Sequence, residues 1–283
     1  MKKTFKILIK IILAIIVFII FVVIVNNLKT PSNDREWSEE SAILPSITIN
    51  DSIIEVKNIR DWRYEKGSTL SKNYYDDTFD IDKIEKTWLL FNPFGKWEGV
   101  GHFFFVFEFE DGQDVSVSIE ARREKDEDYK SWKGVFNKYE LWYAFGSSAD
   151  FMTRRVMLYD EDLYIYPLLI SKESSKALFV DIVKTAKNLE TEPQFYNTIT
   201  SNCTNLLADA GNRVKQGSIP FHYSRLFTGF ADNQLYDLGL IPNDAPFEEV
   251  YLRSRIDEDI REIFLNETDY SAREFWEKVK LRI

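Results

Sequence analysis

One cysteine, Cys203, stands in 283 residues, so no intramolecular disulfide can form even in a compartment that would permit one. Stability must come from packing. Histidine is nearly as scarce: His102 and His222 are the only two, which excludes a zinc site built from several His or Cys ligands. Neither a metal nor another cofactor is expected. Positive charge is in deficit, with 36 Lys and Arg against 46 Asp and Glu and a formal net charge of −10. Without the four lysines near the start, about −14 remains for the rest of the chain, which repels nucleic-acid phosphates and anionic lipid head groups alike. No nucleic-acid partner is expected. The chain also lacks an internal repeat and a second linker, so one domain is expected after its N-terminal segment.

What is abundant is apolar surface. Hydrophobic residues make up 45% of the chain, with 22 Phe, 14 Tyr and 7 Trp, and each buried aromatic removes about 150–250 Å² from water. From Ile7 to Val25 the only polar residue is Lys10, a run long enough for a helix to cross a hydrocarbon core of roughly 30 Å. Lys2, Lys3, Lys6 and Lys10 precede or open it and the next cation is Lys29, so the positive-inside bias puts the N-terminus in the cytoplasm and the domain outside. The run exceeds the h-region of a cleaved signal peptide, and Val23 to Asn27 offers no small-x-small cleavage site. Residues 1–26 are therefore expected to be the cytoplasmic start and transmembrane anchor of a single-pass inner or cytoplasmic membrane protein, with the membrane as partner through residues 7–25. Residues 27–46, polar and without hydrophobic period, are expected to be a tether, and residues 47–283 the exported domain.

Between Ile47 and Ile170 the period is mostly two. Ile53–Val56, Thr87–Phe91, Gly101–Phe109, Val115–Glu120, Tyr139–Phe145, Arg154–Tyr159 and Leu163–Leu169 are rich in β-branched and aromatic residues, and Asp111-Gly112 is a hairpin turn signal. After Ser171, a plausible N-cap, Leu178, Phe179, Ile182, Val183, Ala186 and Leu189 recur at helical spacing. A second helix starts at Cys203 with Asn202 or Ser201 as its cap, and Arg255–Leu265 and Ala272–Val279 also read as helices. The expected class is α+β, an antiparallel sheet packed by helices and preceded by one transmembrane helix.

A thiol at a helix N-terminus faces unpaired N–H groups and the positive end of the helix dipole, which lower its pKa. The same N–H groups can hold an oxyanion. Cys203 has that position, although Leu206, Leu207 and Ala210 on its stripe also suit a packed cysteine. His102 opens the apolar strand His102–Phe109, where a titratable side chain needs a partner. Glu120 on the neighbouring strand is the natural acid to orient an imidazole, and register decides whether it can. A two-residue turn at Asp111-Gly112 pairs 102 with 121 and turns Glu120 away, whereas a three-residue loop pairing 102 with 122 leaves it on the face of His102. Arg122 and Arg123, beside the acidic run Glu124–Asp128, suit a solvated strand end. His222 sits in an aromatic loop and is expected to be structural.

Several stretches occur in series: Asn58-Ile59-Arg60-Asp61, Tyr74-Tyr75-Asp76-Asp77-Thr78, Gly101-His102-Phe103, Ser116 to Glu124, Tyr139-Glu140-Leu141, Phe195-Tyr196-Asn197-Thr198, Asn202-Cys203-Thr204 and Tyr236-Asp237-Leu238-Gly239-Leu240. In this order the chain resembles the Lnb N-terminal periplasmic domain family. That family in turn resembles papain-like, circularly permuted NlpC/P60 thiol enzymes, in which a strand His precedes a helix-capping Cys. The resemblance implies His102 as base and Cys203 as nucleophile, with Glu120 as third member and Arg122, Asn202 and Tyr196 as substrate-binding residues. Some members are implicated in N-acylation of bacterial lipoproteins, which implies an S-acyl intermediate on Cys203 and an envelope lipid or lipoprotein substrate. Analogy with NlpC/P60 enzymes implies instead a peptidoglycan amidase or endopeptidase, and a silent envelope binding module is the third class.

Overall fold

The computed structural model of the chain describes residues 2–95, 97–266 and 270–283. The apolar run forms α1 (Lys2–Asn27). None of its apolar window is buried against the domain, and a long apolar stretch left unburied in this way fits the single-pass membrane arrangement.

Past the anchor, strands and helices alternate in blocks. The order is β1 (Ser46–Asn50), β2 (Ile53–Glu65), β3 (Ser68–Asp80), β4 (Ile84–Pro93), β5 (Gly101–Phe109), β6 (Asp114–Arg122), α2 (Ser131–Val135), β7 (Tyr139–Gly146), α3 (Ser148–Thr153) and β8 (Tyr164–Pro167). There follow α4 (Lys172–Thr191), β9 (Phe195–Tyr196), α5 (Cys203–Val214), α6 (Ala231–Asp237), α7 (Phe247–Arg253), α8 (Asp257–Asn266) and α9 (Ala272–Lys280). The strands form one sheet in the order β1-β2-β7-β6-β5-β4-β8, with β3 also on β2 and β9 on β7. The class is α+β, as expected.

Alternation along the central strands sorts their side chains to two cores. Phe103, Phe105 and Phe107 lie with Leu178, Phe179, Ile182 and Val183 of α4 and Cys203, Leu207 and Ala210 of α5. Phe104 and Val106 face the other way, toward Phe151 and Met152 of α3 and Phe275 and Trp276 of α9. Both faces are covered, so β5 is buried along its whole length.

Four expectations are refined or corrected. The sheet is antiparallel as expected but for one refinement: β2 meets β7 in parallel at the single pair Arg60↔Gly146. Side chains hold that junction, since the buried Arg60 guanidinium donates from Nε and Nη2 to the two Asp150 oxygens at 2.8 and 2.9 Å. Trp62 N–H and Tyr64 O–H also donate to Asp150. Second, β2 and β3 form a long hairpin of which only Ile53–Val56 was expected, because much of β3 is solvent-facing and its Lys, Asn and Asp residues hide the period. Third, Arg154–Leu158 is a π-helical turn continuing α3, not a strand. Its apolar residues Val156 and Met157 pack on the core of α3, α8 and α9 rather than joining a sheet edge.

Fourth, the stretch expected as a tether is seated on the domain. Asn33 donates to the Leu189 and Glu190 carbonyls at the end of α4, and Trp37 forms a β-bridge with Glu124. Arg35 pairs with Glu124 and the buried Glu140, both at 2.9 Å. The sequence offered no hydrophobic period there because these contacts are polar and each runs to a different element.

Breaking the Arg60–Asp150 pair strands a buried cation. Asp150→Ala should therefore cost about 3–5 kcal/mol, read as a fall in denaturant midpoint. Asp244→Ala, which removes an exposed partner of Arg253, should leave the midpoint nearly unchanged, because solvent screens an exposed pair.

Candidate active site

The hairpin between β5 and β6 sets the geometry. Phe109 N–H donates to the Gln113 carbonyl at 2.9 Å, so the loop is the three residues 110–112, with Gly112 at φ 79°. Only glycine takes that conformation without strain. Phe104 pairs with Ser118, and the same register continued puts 120, not 121 or 122, opposite 102. His102, Ser118 and Glu120 therefore share a face.

They touch. His102 Nε2 lies 2.8 Å from Ser118 Oγ and 3.2 Å from Glu120 Oε1, while Ser118 Oγ donates to Glu120 Oε1 at 2.8 Å. A hydroxyl has one hydrogen, and with that given to Glu120 the serine can only accept from His102. Nε2 then carries a proton and Nδ1 is the nitrogen left to serve another group. The Cys203 thiol lines the same cavity as the imidazole and is near enough for the imidazole to hold its pKa down. Cys203 is the first residue of α5, and its helix packs on the face of Phe103 and Phe105. Strand alternation puts His102 on the other face, so the two can meet only because each stands at the tip of its element.

The tip of β5 is clamped from outside. Gly101 donates its N–H to Thr228 Oγ1 at 3.0 Å, and Thr228 Oγ1 donates back to the Gly101 carbonyl at 2.6 Å. At Gly229 a Cβ would fall 1.9 Å from the Glu98 carbonyl oxygen, so the loops carrying 98–101 and 228–229 cross with no room for a side chain.

The electrostatics follow from burial and partners. Burial opposes charge on His102 most strongly, but the Glu120 carboxylate and the Cys203 thiol together overcome it and raise the imidazole pKa to about 9. Burial likewise pushes the Cys203 thiol up, yet the hydrogen bond and charge of His102, the Phe103 N–H and the Thr204 hydroxyl together hold it below the ordinary thiol range. Glu120 is held well below the carboxylate range, against burial, by His102, Arg155 and Arg154. The resting pair is thus drawn toward thiolate and imidazolium. Among the described residues no acceptor takes the first-turn N–H groups of Cys203 and Thr204, which leaves them able to hold an oxyanion.

These groups line a cavity of about 460 Å³ with Tyr129, Ser131, Tyr196, Thr198, Asn202 and the arginines 123, 154 and 155 among its walls. Of the residues expected to bind substrate, Tyr196 lines it and keeps its phenolic proton, since burial and then the neighbouring Cys203 raise its pKa. Asn202 also lines it, but its amide is fully engaged: Oδ1 accepts Asn205 N–H, capping α5, and Nδ2 donates to the Thr198 and Arg225 carbonyls, all at 2.8 Å. It positions the helix rather than a ligand. Arg122 is not in the cavity wall. It is buried, stacks 4.0 Å from the Trp37 ring centroid, and donates to the Ser41 and Ala42 carbonyls and Asn33. The solvated end expected of it is not what it forms; it holds residues 33–42 instead.

Sequence reasoning missed Ser118, Arg154, Arg155 and Glu40. Arg155 donates to Glu120 Oε1 at 3.1 Å, and Glu40 Oε2 accepts from Arg154 at 2.6 Å and Arg123 at 2.9 Å. Ser118 was findable, lying two residues before Glu120 on its face. The doubled cation Arg154-Arg155 in an apolar run was the other available signal. His222 accepts Ser224 N–H at 3.3 Å and caps a short turn away from the cavity.

Two substitutions separate the causes of these shifts. Iodoacetamide reacts with the thiolate, so alkylation of the sole cysteine should persist in the wild type to lower pH than for an ordinary thiol. In His102→Ala burial remains without its counterweight, and the alkylation midpoint should rise. Glu120→Gln should act in the same direction, because an imidazole without its carboxylate loses its proton at lower pH and with it the charge that stabilises the thiolate.

Among protein families, the Lnb N-terminal periplasmic domain matches residues 71–228, more than half of the chain. Those bounds contain His102, Glu120 and Cys203 and end on Thr228, the residue that clamps Gly101. No curated protein and no solved structure matches the chain.

Proposed function

Since the chain belongs to the Lnb N-terminal periplasmic domain family, we propose that it is a membrane-held extracytoplasmic thiol enzyme that passes an acyl group through a thioester on Cys203. The observation that carries this reading is one cavity lined by the only cysteine, at a helix start, and by a histidine paired to a half-buried carboxylate. A packed cysteine has no need of that partner.

His102 Nδ1 takes the thiol proton, and the thiolate adds to an ester or amide carbonyl. The oxyanion is met by the N–H groups of Cys203 and Thr204. As the intermediate collapses, the leaving group takes its proton from the imidazolium, and the acyl group stays on sulfur. An amine or water then adds to the thioester, His102 accepts its proton, and the thiolate leaves. Ser118 and Glu120 keep Nε2 protonated and the ring oriented through both halves.

A lipid-borne acyl group is favoured over a peptidoglycan stem by a second, apolar cavity of about 470 Å³ along the other flank of α5. Its wall includes Leu89, Phe105, Leu178 and Leu207, and it shares Phe103 and Thr204 with the surroundings of the thiol.

Intact-mass spectrometry after incubation with membrane extract tests the reading. The wild type should gain the mass of a fatty acyl group less one hydrogen, Cys203→Ser should gain nothing, and His102→Ala should react far more slowly. Acylation and turnover should rise with pH as the thiol ionises, then fall above about 9 as His102 loses the proton it must give to the leaving group. A muropeptide-derived adduct would move the substrate to peptidoglycan. A wild type that stays unmodified in lipid and peptidoglycan extracts at every pH would leave a binding module.

A further inference from the structure

The end of the membrane helix is not loose. Asn26 Nδ2 donates to the Val135 carbonyl at 3.0 Å, and Lys29 Nζ bonds the Phe136 carbonyl next to it. The same Val135 carbonyl accepts from Asn197 Nδ2 at 3.1 Å. From there hydrogen bonds run without a gap to the thiol helix: Thr198 Oγ1 donates to the Ser131 carbonyl at 2.7 Å, and the cap residue Asn202 holds both the Thr198 and the Arg225 carbonyls at 2.8 Å. The anchor exit, α2, the loop 197–202 and the loop 221–227 are thus one connected body at the mouth of the cavity, whose lining includes Ser131, Thr198, Leu226, Phe227 and Trp97.

This rim is apolar where it should be wet. Trp132 is 63% exposed and Phe221 79% exposed, and Trp97, Ile199, Tyr223 and Phe227 are exposed as well. Trp132 lies three residues before Val135 on α2, about 5 Å along the helix from the carbonyl that holds the anchor. Trp97 and Phe227 pack edge to face with centroids 5.3 Å apart while both stay exposed, so they form a rigid patch rather than scattered side chains. Contiguous apolar patches of this kind mark a docking surface, and Trp and Tyr favour the boundary between water and hydrocarbon.

We infer that this face rests on the bilayer from which α1 emerges, with Trp132, Ile199, Phe221 and Phe227 in the interfacial layer and the cavity mouth opening on the lipid surface. The bilayer is the occupant because the membrane helix ends on the same carbonyl that carries the patch. A second protein would have to displace the membrane there. The contact is apolar, so it requires no anionic lipid, in keeping with the acidic character of the domain. It stands on the placement of anchor and patch, not on thiol chemistry, and is tested by contact rather than turnover.

The full chain in phosphatidylcholine nanodiscs, with Cys203→Ser as background, takes a single environment-sensitive probe at Ile199→Cys, Phe221→Cys or Lys172→Cys. Lys172 pairs with Glu110 at the far end of β5, eight residues and about 26 Å from His102 along the strand. Probes at 199 and 221 should emit at shorter wavelength and be quenched by spin-labelled lipid, and the probe at 172 should do neither. Water-like, unquenched emission at all three overturns the inference. The unlabelled wild type gives an answer that does not depend on the folding of any variant. A diazirine phospholipid should cross-link residues 197–201 and 221–227 on illumination, and cross-links confined to α1 overturn it.

Discussion

A carboxylate drawn out of water must be met by charge and hydrogen bonds, and Glu120, at the end of a central strand with its side chain 21% exposed, is partly so. Its Oε1 is met by His102, Ser118 and Arg155, with Arg154 just beyond at 4.0 Å. Each of these comes from a different stretch of chain or a different turn of it: the start of β5, the middle of β6 and the π-helical turn after α3. The need to satisfy this one charge therefore fixes where β5 begins, how β6 is registered against it and where Arg154–Leu158 must lie. A strand at 154–158 would carry the two arginines away and leave the carboxylate short of positive charge.

The same charge sets the character of the thiol. Burial alone would keep His102 neutral and Cys203 protonated, the inert state of a packed cysteine. With Glu120 in place the imidazole prefers its charged form, and the thiol beside it is pulled toward thiolate. The charge on Glu120 thus bears on the sulfur through the imidazole, alongside the hydrogen bonds of the Phe103 N–H and Thr204.

Residues 27–46 extend this network toward the membrane. Glu40 neutralises Arg154 and Arg123 from the side away from Glu120, so the arginines are shared between the cavity and the segment leading from the anchor. Arg122 and the buried Glu140 hold the same segment through Trp37, Ser41, Ala42 and Arg35. What composition presents as a spacer couples the orientation of the domain to the membrane helix.

The sequence by itself determined what rests on local pattern. The run Ile7–Val25 is apolar on every side and needs no partner to be recognised, and the stripe of α4 repeats every three or four residues. Asn202 before Cys203 gives the start of α5, because capping is settled within four residues. Helices over Arg255–Leu265 and Ala272–Val279 were legible as well, against the observed Asp257–Asn266 and Ala272–Lys280. Tertiary structure decided what depends on pairing across distance. Hairpin register turns on whether the loop has two residues or three, a difference of a few dihedral angles that reverses the face of Glu120. The long β2–β3 hairpin, the parallel contact at Arg60 and the seating of residues 27–46 are held by polar contacts to distant elements, which leave no period in the chain. His102 and Cys203 belong to opposite faces by strand alternation, and only the crossing of their elements at the clamped tip of β5 brings the imidazole to the thiol.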